Sequence, residues 1–134
     1  MPGYSGTPLP KKLGIKDGFR LHFVRLPSEV RLELKEAASR CEIIGDGEAV
    51  VDFAMVFTKS ASELQREFNR TAKRLTPPGM LWVSWPKKTS GVATDLDENA
   101  VRRIGLEAGL VDVKVCAVTE VWSGLKFVRR LKDR

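Results

Sequence analysis

One histidine and two cysteines are the chain's whole stock of the side chains that most often hold transition metals or pair as nucleophile and base. His22 stands inside a strand-like run, with no Cys, Asp or Glu at ligand spacing, which suits a structural role. Cys41 and Cys116 lie far apart in apolar runs and fit no metal-ligand pattern. No G-x-S-x-G and no P-loop occurs, so triad hydrolysis would have to rely on His22 alone. No catalytic residue and no metal ligand is assigned. Long apolar runs are also missing, since none approaches the ~20 residues that span a bilayer. The opening MPGYSGTPLPKKLG lacks the apolar segment of a secretory leader. These absences argue for a cytoplasmic chain without a membrane partner, its two thiols buried and reduced.

What is present is ordinary for a globular domain: 134 residues, 43% apolar and 30% charged, enough for one core. Lys and Arg number 23 against 17 Asp and Glu, a net charge of +6. A positive surface favours anionic partners such as a phosphate, a nucleotide or nucleic acid. Because the charges are scattered rather than blocked, a plain solvated surface explains them as well.

Along the chain, residues 1–18 read as an irregular arm broken by glycines and prolines, with Tyr4, Leu9, Leu13 and Ile15 as apolar anchors. Residues 19–134 read as a single domain. The run 20–26 suits a strand, and Pro27-Ser28 opens a helix to about Ser39 with Val30, Leu34 and Ala37 on one face. The alternation Val30, Leu32, Leu34 is a competing strand signal. A short strand is expected at 41–44, a turn at Gly45-Asp46-Gly47 and a buried strand at 50–58. Ser60-Ala61-Ser62-Glu63 is a capping box, followed at helical spacing by Leu64, Phe68, Ala72 and Leu75. Thr76-Pro77-Pro78-Gly79 should stop that helix. A strand at 80–85 and a second capping box at Asp95 and Glu98 follow. The next helix should end at Gly109. A long strand at 110–121, a turn at Trp122-Ser123-Gly124 and a last strand at 125–131 complete the chain.

Strands alternating with helices imply a three-layer α/β domain with a mostly parallel sheet and an antiparallel C-terminal hairpin. One link resists: about six residues join the second strand to the third, and a parallel crossover usually needs a dozen or more. The second strand is therefore either antiparallel or vestigial.

The order of a long buried strand, a helix, the GMLWVSW strand, a helix and a hairpinned strand pair resembles the C-terminal half of the Rossmann-like methyltransferase fold. A closer resemblance is to a small bacterial family, domain-of-unknown-function family 3052. It is carried by Trp85-Pro86-Lys87-Lys88, Ser90-Gly91, Thr94-Asp95 and Trp122-Ser123-Gly124-Leu125-Lys126, and covers most of residues 13–131. That resemblance implies the fold and brings no chemistry with it.

Glycine is missing where a dinucleotide or methyltransferase-like site needs it. After the first strand the chain reads Val24-Arg25-Leu26-Pro27-Ser28-Glu29, with bulky side chains where a cofactor requires bare backbone. Asp46, near the end of the second strand, stands where a ribose-binding acid would, but without a glycine loop beside it a turn residue is the simpler reading. No cofactor is expected.

The loop at 86–95 is the leading candidate site, because α/β sheets bind ligands beyond the carboxyl ends of their strands. Lys87 and Lys88 supply positive charge; Thr89, Ser90, Gly91 and Thr94 supply hydroxyls and approachable backbone ahead of a helix N-terminus. Against it stands Asp95, which would cap the helix and repel an anion. Trp85, Trp122 and Ser123 lie at strand ends, where the two indoles would wall a pocket if they did not simply pack the core. The basic end, Lys126, Arg129, Arg130, Lys132 and Arg134, would touch phosphates or line an edge strand. The reading is a non-catalytic binding module for a small anionic ligand at 86–95. The alternatives are a protein or nucleic-acid interaction module, and a divergent methyltransferase-like enzyme.

Overall fold

The computed structural model describes residues 6–134. They form α1 (Leu9–Leu13), β1 (Arg20–Val24), α2 (Ser28–Ala38), β2 (Glu42–Ile43), β3 (Val51–Phe57), α3 (Ala61–Ala72), β4 (Leu75–Pro86), α4 (Glu98–Glu107), β5 (Leu110–Ala117) and β6 (Trp122–Arg129). One sheet runs in the order β2-β1-β3-β4-β6-β5. The pairs β1–β2, β1–β3 and β3–β4 are parallel, and β6 is antiparallel to both β4 and β5.

The apolar runs of β3 and β4 are interior strands, as their continuous hydrophobicity requires. Alternation sends their side chains to two cores. On one face Ala54, Val56, Leu81 and Val83 meet Leu64 and Phe68 of α3 and Val101 and Ile104 of α4. On the other, Phe53, Met55, Phe57 and Trp82 meet Leu9 and Leu13 of α1 and Val30 and Leu34 of α2. Ser60 caps α3, its Oγ accepting from the Glu63 amide at 3.4 Å. Phe68 stacks edge-on against Phe127 at 5.1 Å, tying α3 to β6. Gly105 is glycine because α4 presses on the same ring: a Cβ there would lie 2.1 Å from Phe127 Cε2.

Several expectations are corrected. Part of the arm read as irregular, Leu9–Leu13, is helical, and the carbonyl of Leu13 accepts the buried Trp82 indole N–H at 2.9 Å. Tyr4 lies outside the described residues. β2 is parallel, and only two residues long. It sits at the sheet edge, so residues 44–50 must cross β1 to reach β3, and they do so without a helix. The short strand keeps that return brief. Buried Arg74 stands in for the missing helix, donating to the carbonyls of Ala49 at 2.8 Å and Gly45 at 3.0 Å.

Pro77 and Pro78 do not end α3, which stops at Ala72. They bulge out of β4 where its register with β3 shifts and no ladder donor is needed. The turn expected at Trp122-Ser123-Gly124 is at residues 118–121, where Thr119 Oγ1 accepts from the Val121 and Trp122 amides. Gly124 lies inside β6 because a Cβ would come within 2.9 Å of Val118 Cγ2 and 3.2 Å of Trp82 Cε3. The last strand is interior and β5 is the edge, so the basic residues of β6 do not guard an edge. The thiols are half-buried rather than buried.

Candidate functional site

The chain leaves β1 for α2 on one face of the sheet and β3 for α3 on the other, so the switch point lies between the ends of β1 and β3. This is where an open α/β sheet forms its ligand crevice. Arg25 follows β1 directly and has φ 57°, the left-handed backbone that a glycine would take without cost. Its guanidinium reaches across to α3, 3.1 Å from Glu63 Oε2 and 3.2 Å from Glu67 Oε2. Glu67 is 6% exposed and also pairs with Arg70. Thr58, just past β3, donates its hydroxyl to Glu63 Oε1 at 2.5 Å. The Glu63 side chain, expected to complete the capping box, is drawn into this cluster instead. Where a cofactor would need open backbone, the crevice holds an ion-paired side chain.

Beside it, buried His22 is structural: its Nδ1 shares a hydrogen bond with the Ile44 carbonyl at 2.8 Å. Asp46 stands 4.0 Å from His22 Nε2 with its side chain 97% exposed, in keeping with a turn residue.

The 86–95 loop leaves β4 through a 3-10 turn at Lys88–Ser90 and turns again at Gly91, φ 77°. Two of its hydroxyls brace it, one from within and one against the start of α3. Ser90 Oγ donates to the Lys87 carbonyl at 2.6 Å, and Thr94 Oγ1 donates to the Lys59 carbonyl at 2.6 Å. Asp95 does not cap the following helix; its carboxylate accepts from the first amide of α3, Ala61, at 2.8 Å. Asp97 caps α4, accepting from Ala100 at 2.8 Å. Lys88, Thr89 and Gly91 remain exposed and Lys87 half-exposed.

The two indoles do not share a pocket. Trp85 is 5% exposed in the α3–α4 core. Trp122 packs edge-on against Phe57 at 5.3 Å on the opposite face. Ser123 is paired with Trp85 across the ladder, and its carbonyl accepts the Ser84 hydroxyl at 2.7 Å.

A basic face was not visible in the sequence. Lys114 and Lys126 stand opposite each other on β5 and β6, an unfavourable like-charge cross-strand pair. Burial lowers the Lys126 pKa from its ordinary value, and nearby Lys114 and Lys16 lower it further. Lys114 Nζ donates to the Lys12 carbonyl at 3.0 Å and Lys12 Nζ to the Ala117 carbonyl at 2.8 Å, strapping α1 to β5. Burial raises the Cys116 thiol on this face above its usual range, outweighing Lys12 and Lys114. Arg129 is structural, donating to the Ala72 and Leu75 carbonyls. Only a strand alternation anchored by the correct hairpin turn would have paired these lysines.

Among the described residues no helix is long and apolar enough to cross a membrane, and no group of three metal-ligating side chains occurs.

No family model and no curated protein matches the chain. Solved structures do. A SAM-dependent methyltransferase from Aquifex aeolicus is similar over 87% of this chain and 85% of its own, at 17% identity and TM-score 0.59. Magnesium protoporphyrin IX methyltransferase from Synechocystis PCC 6803, with bound SAH, is similar over 91% and 78%, at 11% identity and TM-score 0.58. Mitomycin 7-O-methyltransferase is similar over 85% of this chain at 12% identity and TM-score 0.58, and the chain spans about half of its length, 49%. At such identities the likeness defines the fold alone: a Rossmann-like, methyltransferase-type α/β domain.

Proposed function

We propose that this protein is a non-catalytic binding module for a small anionic ligand, built on a methyltransferase-type fold. The observation that carries this reading is Arg25. It occupies the left-handed position at the switch point and locks Glu63 and Glu67 across the crevice. SAM would have to displace two ion pairs, one of them to a buried carboxylate, and would still meet no bare loop.

The ligand site in this reading is the 86–95 loop. Its bracing by Ser90 and Thr94 fixes the backbone while Lys87, Lys88 and Thr89 face outward, and Asp95 is spent on α3. Trp85, Trp122 and Ser123 serve this site as packing, not as walls. Membership of family 3052, resting on the motifs around this loop, is part of the same proposal.

A thermal-shift series with inorganic phosphate, pyrophosphate and nucleotides tests it. A ligand at a hundred times its dissociation constant stabilises by about 2.7 kcal/mol. The shift should vanish in Lys87→Ala/Lys88→Ala; a shift unchanged in that variant would refute the site.

The nucleic-acid alternative gains from the facing pair Lys114 and Lys126. It requires binding that weakens steeply with salt and is lost in Lys114→Glu. The divergent-enzyme alternative shares the fold and differs at one point, whether the crevice admits SAM.

A further inference from the structure

The carboxyl ends of β1 and β2 open on two adjoining grooves that share Phe23, Leu26, Arg31 and Ile43. The polar one, about 460 Å³, adds His22, Arg25 and Asp46. The other, about 530 Å³, runs along α2 and is apolar, adding Leu32, Leu34 and Ala38. Its size falls in the range of small-molecule sites. Leu32 is 73% exposed and Ile43 58% exposed, on the thinnest edge of the sheet. Leu32 points away from the Val30, Leu34 and Ala37 face that packs α2, so the core does not account for it.

The charges around this apolar surface have one sign. Of the residues lining it only Arg31 and Lys35 are charged, although α2 also carries Glu29, Glu33 and Glu36. Among the described residues neither cation has an ion pair, so both charges are available to a ligand. A planar guanidinium at the mouth of an apolar slot is suited to a carboxylate or sulfonate head.

We propose that this groove binds an anionic amphiphile, a small molecule whose alkyl or aryl body lies on Phe23, Leu26, Leu32 and Ile43 while its acidic head meets Arg31 and Lys35. The site goes beyond the 86–95 reading: it lies at the β1–β2 end of the carboxyl edge, and the loop lies at the end of β4. A second copy of the chain is a poor occupant. A two-fold contact centred on the groove would bring Arg31 and Lys35 against their own counterparts, and like charges so placed oppose association.

The test is displacement of the dye anilinonaphthalene sulfonate by dodecanoate and by uncharged dodecanol, followed by fluorescence. Dodecanoate should displace the dye at about tenfold lower concentration than dodecanol, a preference of about 1.4 kcal/mol. Arg31→Gln should erase that preference, and Leu32→Gln should weaken both ligands several-fold. Both side chains are exposed, so unchanged circular dichroism should accompany the losses. Glu29→Gln, outside the groove, should behave as wild type. Equal displacement by the two ligands would overturn the proposal, as would dye binding that neither variant alters. So would sedimentation showing a dimer that Leu32→Gln dissociates.

Discussion

The two sides of the sheet are built to different standards. Through β3, β4 and β6 the strands are seven to twelve residues long, α3 and α4 cover one face, and the largest buried rings interlock. On the β1–β2 side the edge strand has two residues, its return crosses the sheet without a helix, and Leu32, Ile43 and Val50 stay exposed, as Val113 and Val115 do on the opposite edge strand β5. Stability concentrates where packing is dense, and free apolar surface lies at the two edges of the sheet, with a groove on the β1–β2 one. The Arg25 cluster sits on the seam between the two sides.

Substitutions sharpen that contrast. On the dense side, Phe68→Ala should cost about 3–5 kcal/mol in denaturant unfolding, since the ring is fully buried against Phe127. Gly105→Ala should cost about 1–3 kcal/mol, because the added methyl must displace the Phe127 ring. A neutral result at either site would mean that the dense core is not where stability lies.

At the seam, Arg25→Gly should be more stable than Arg25→Ala by about 1 kcal/mol, since both lose the ion pairs and only glycine escapes the left-handed backbone cost. Equal stabilities would show that the backbone there carries no strain.

The Arg20–Asp52 pair joins β1 to β3 and gives a smaller, pH-dependent signal. Hydrogen bonds from Arg20 hold the Asp52 carboxyl below its ordinary 3.8. A depressed carboxyl stabilises the fold fully above its unfolded value and loses that contribution as pH falls through its lower folded value. Acid-side loss of stability below about pH 4 should therefore be shallower in Arg20→Gln than in wild type. Superimposable acid limbs in thermal unfolding would contradict this. Least of all, Ile43→Ser on the thin side should shift stability by no more than about 0.5 kcal/mol.

The dense side was also the legible one. Ser60 before Leu64, Phe68 and Ala72 announced α3, and the run from Val51 to Phe57 announced an interior strand, because local capping and apolar period agree there with the tertiary fold. What was illegible depended on distant partners. Asp95 reads as the cap of α4 from sequence, and only the approach of α3 assigns it to Ala61 and leaves Asp97 to cap α4. Gly124 looked like a turn residue, and only the Trp82 indole explains it within a strand. The missing glycine after β1 was visible in the sequence, while the reach of Arg25 to Glu63 and Glu67 was not. The alternation Val30, Leu32, Leu34 reads as a strand signal, whereas in the helix Leu32 is an apolar residue off the buried face.

The most direct measurement is calorimetric titration of the wild-type protein with SAM and with SAH. The closed crevice predicts no saturable heat up to millimolar concentration. A one-to-one isotherm in the micromolar range would contradict it and would return the chain to the methyltransferases whose fold it shares.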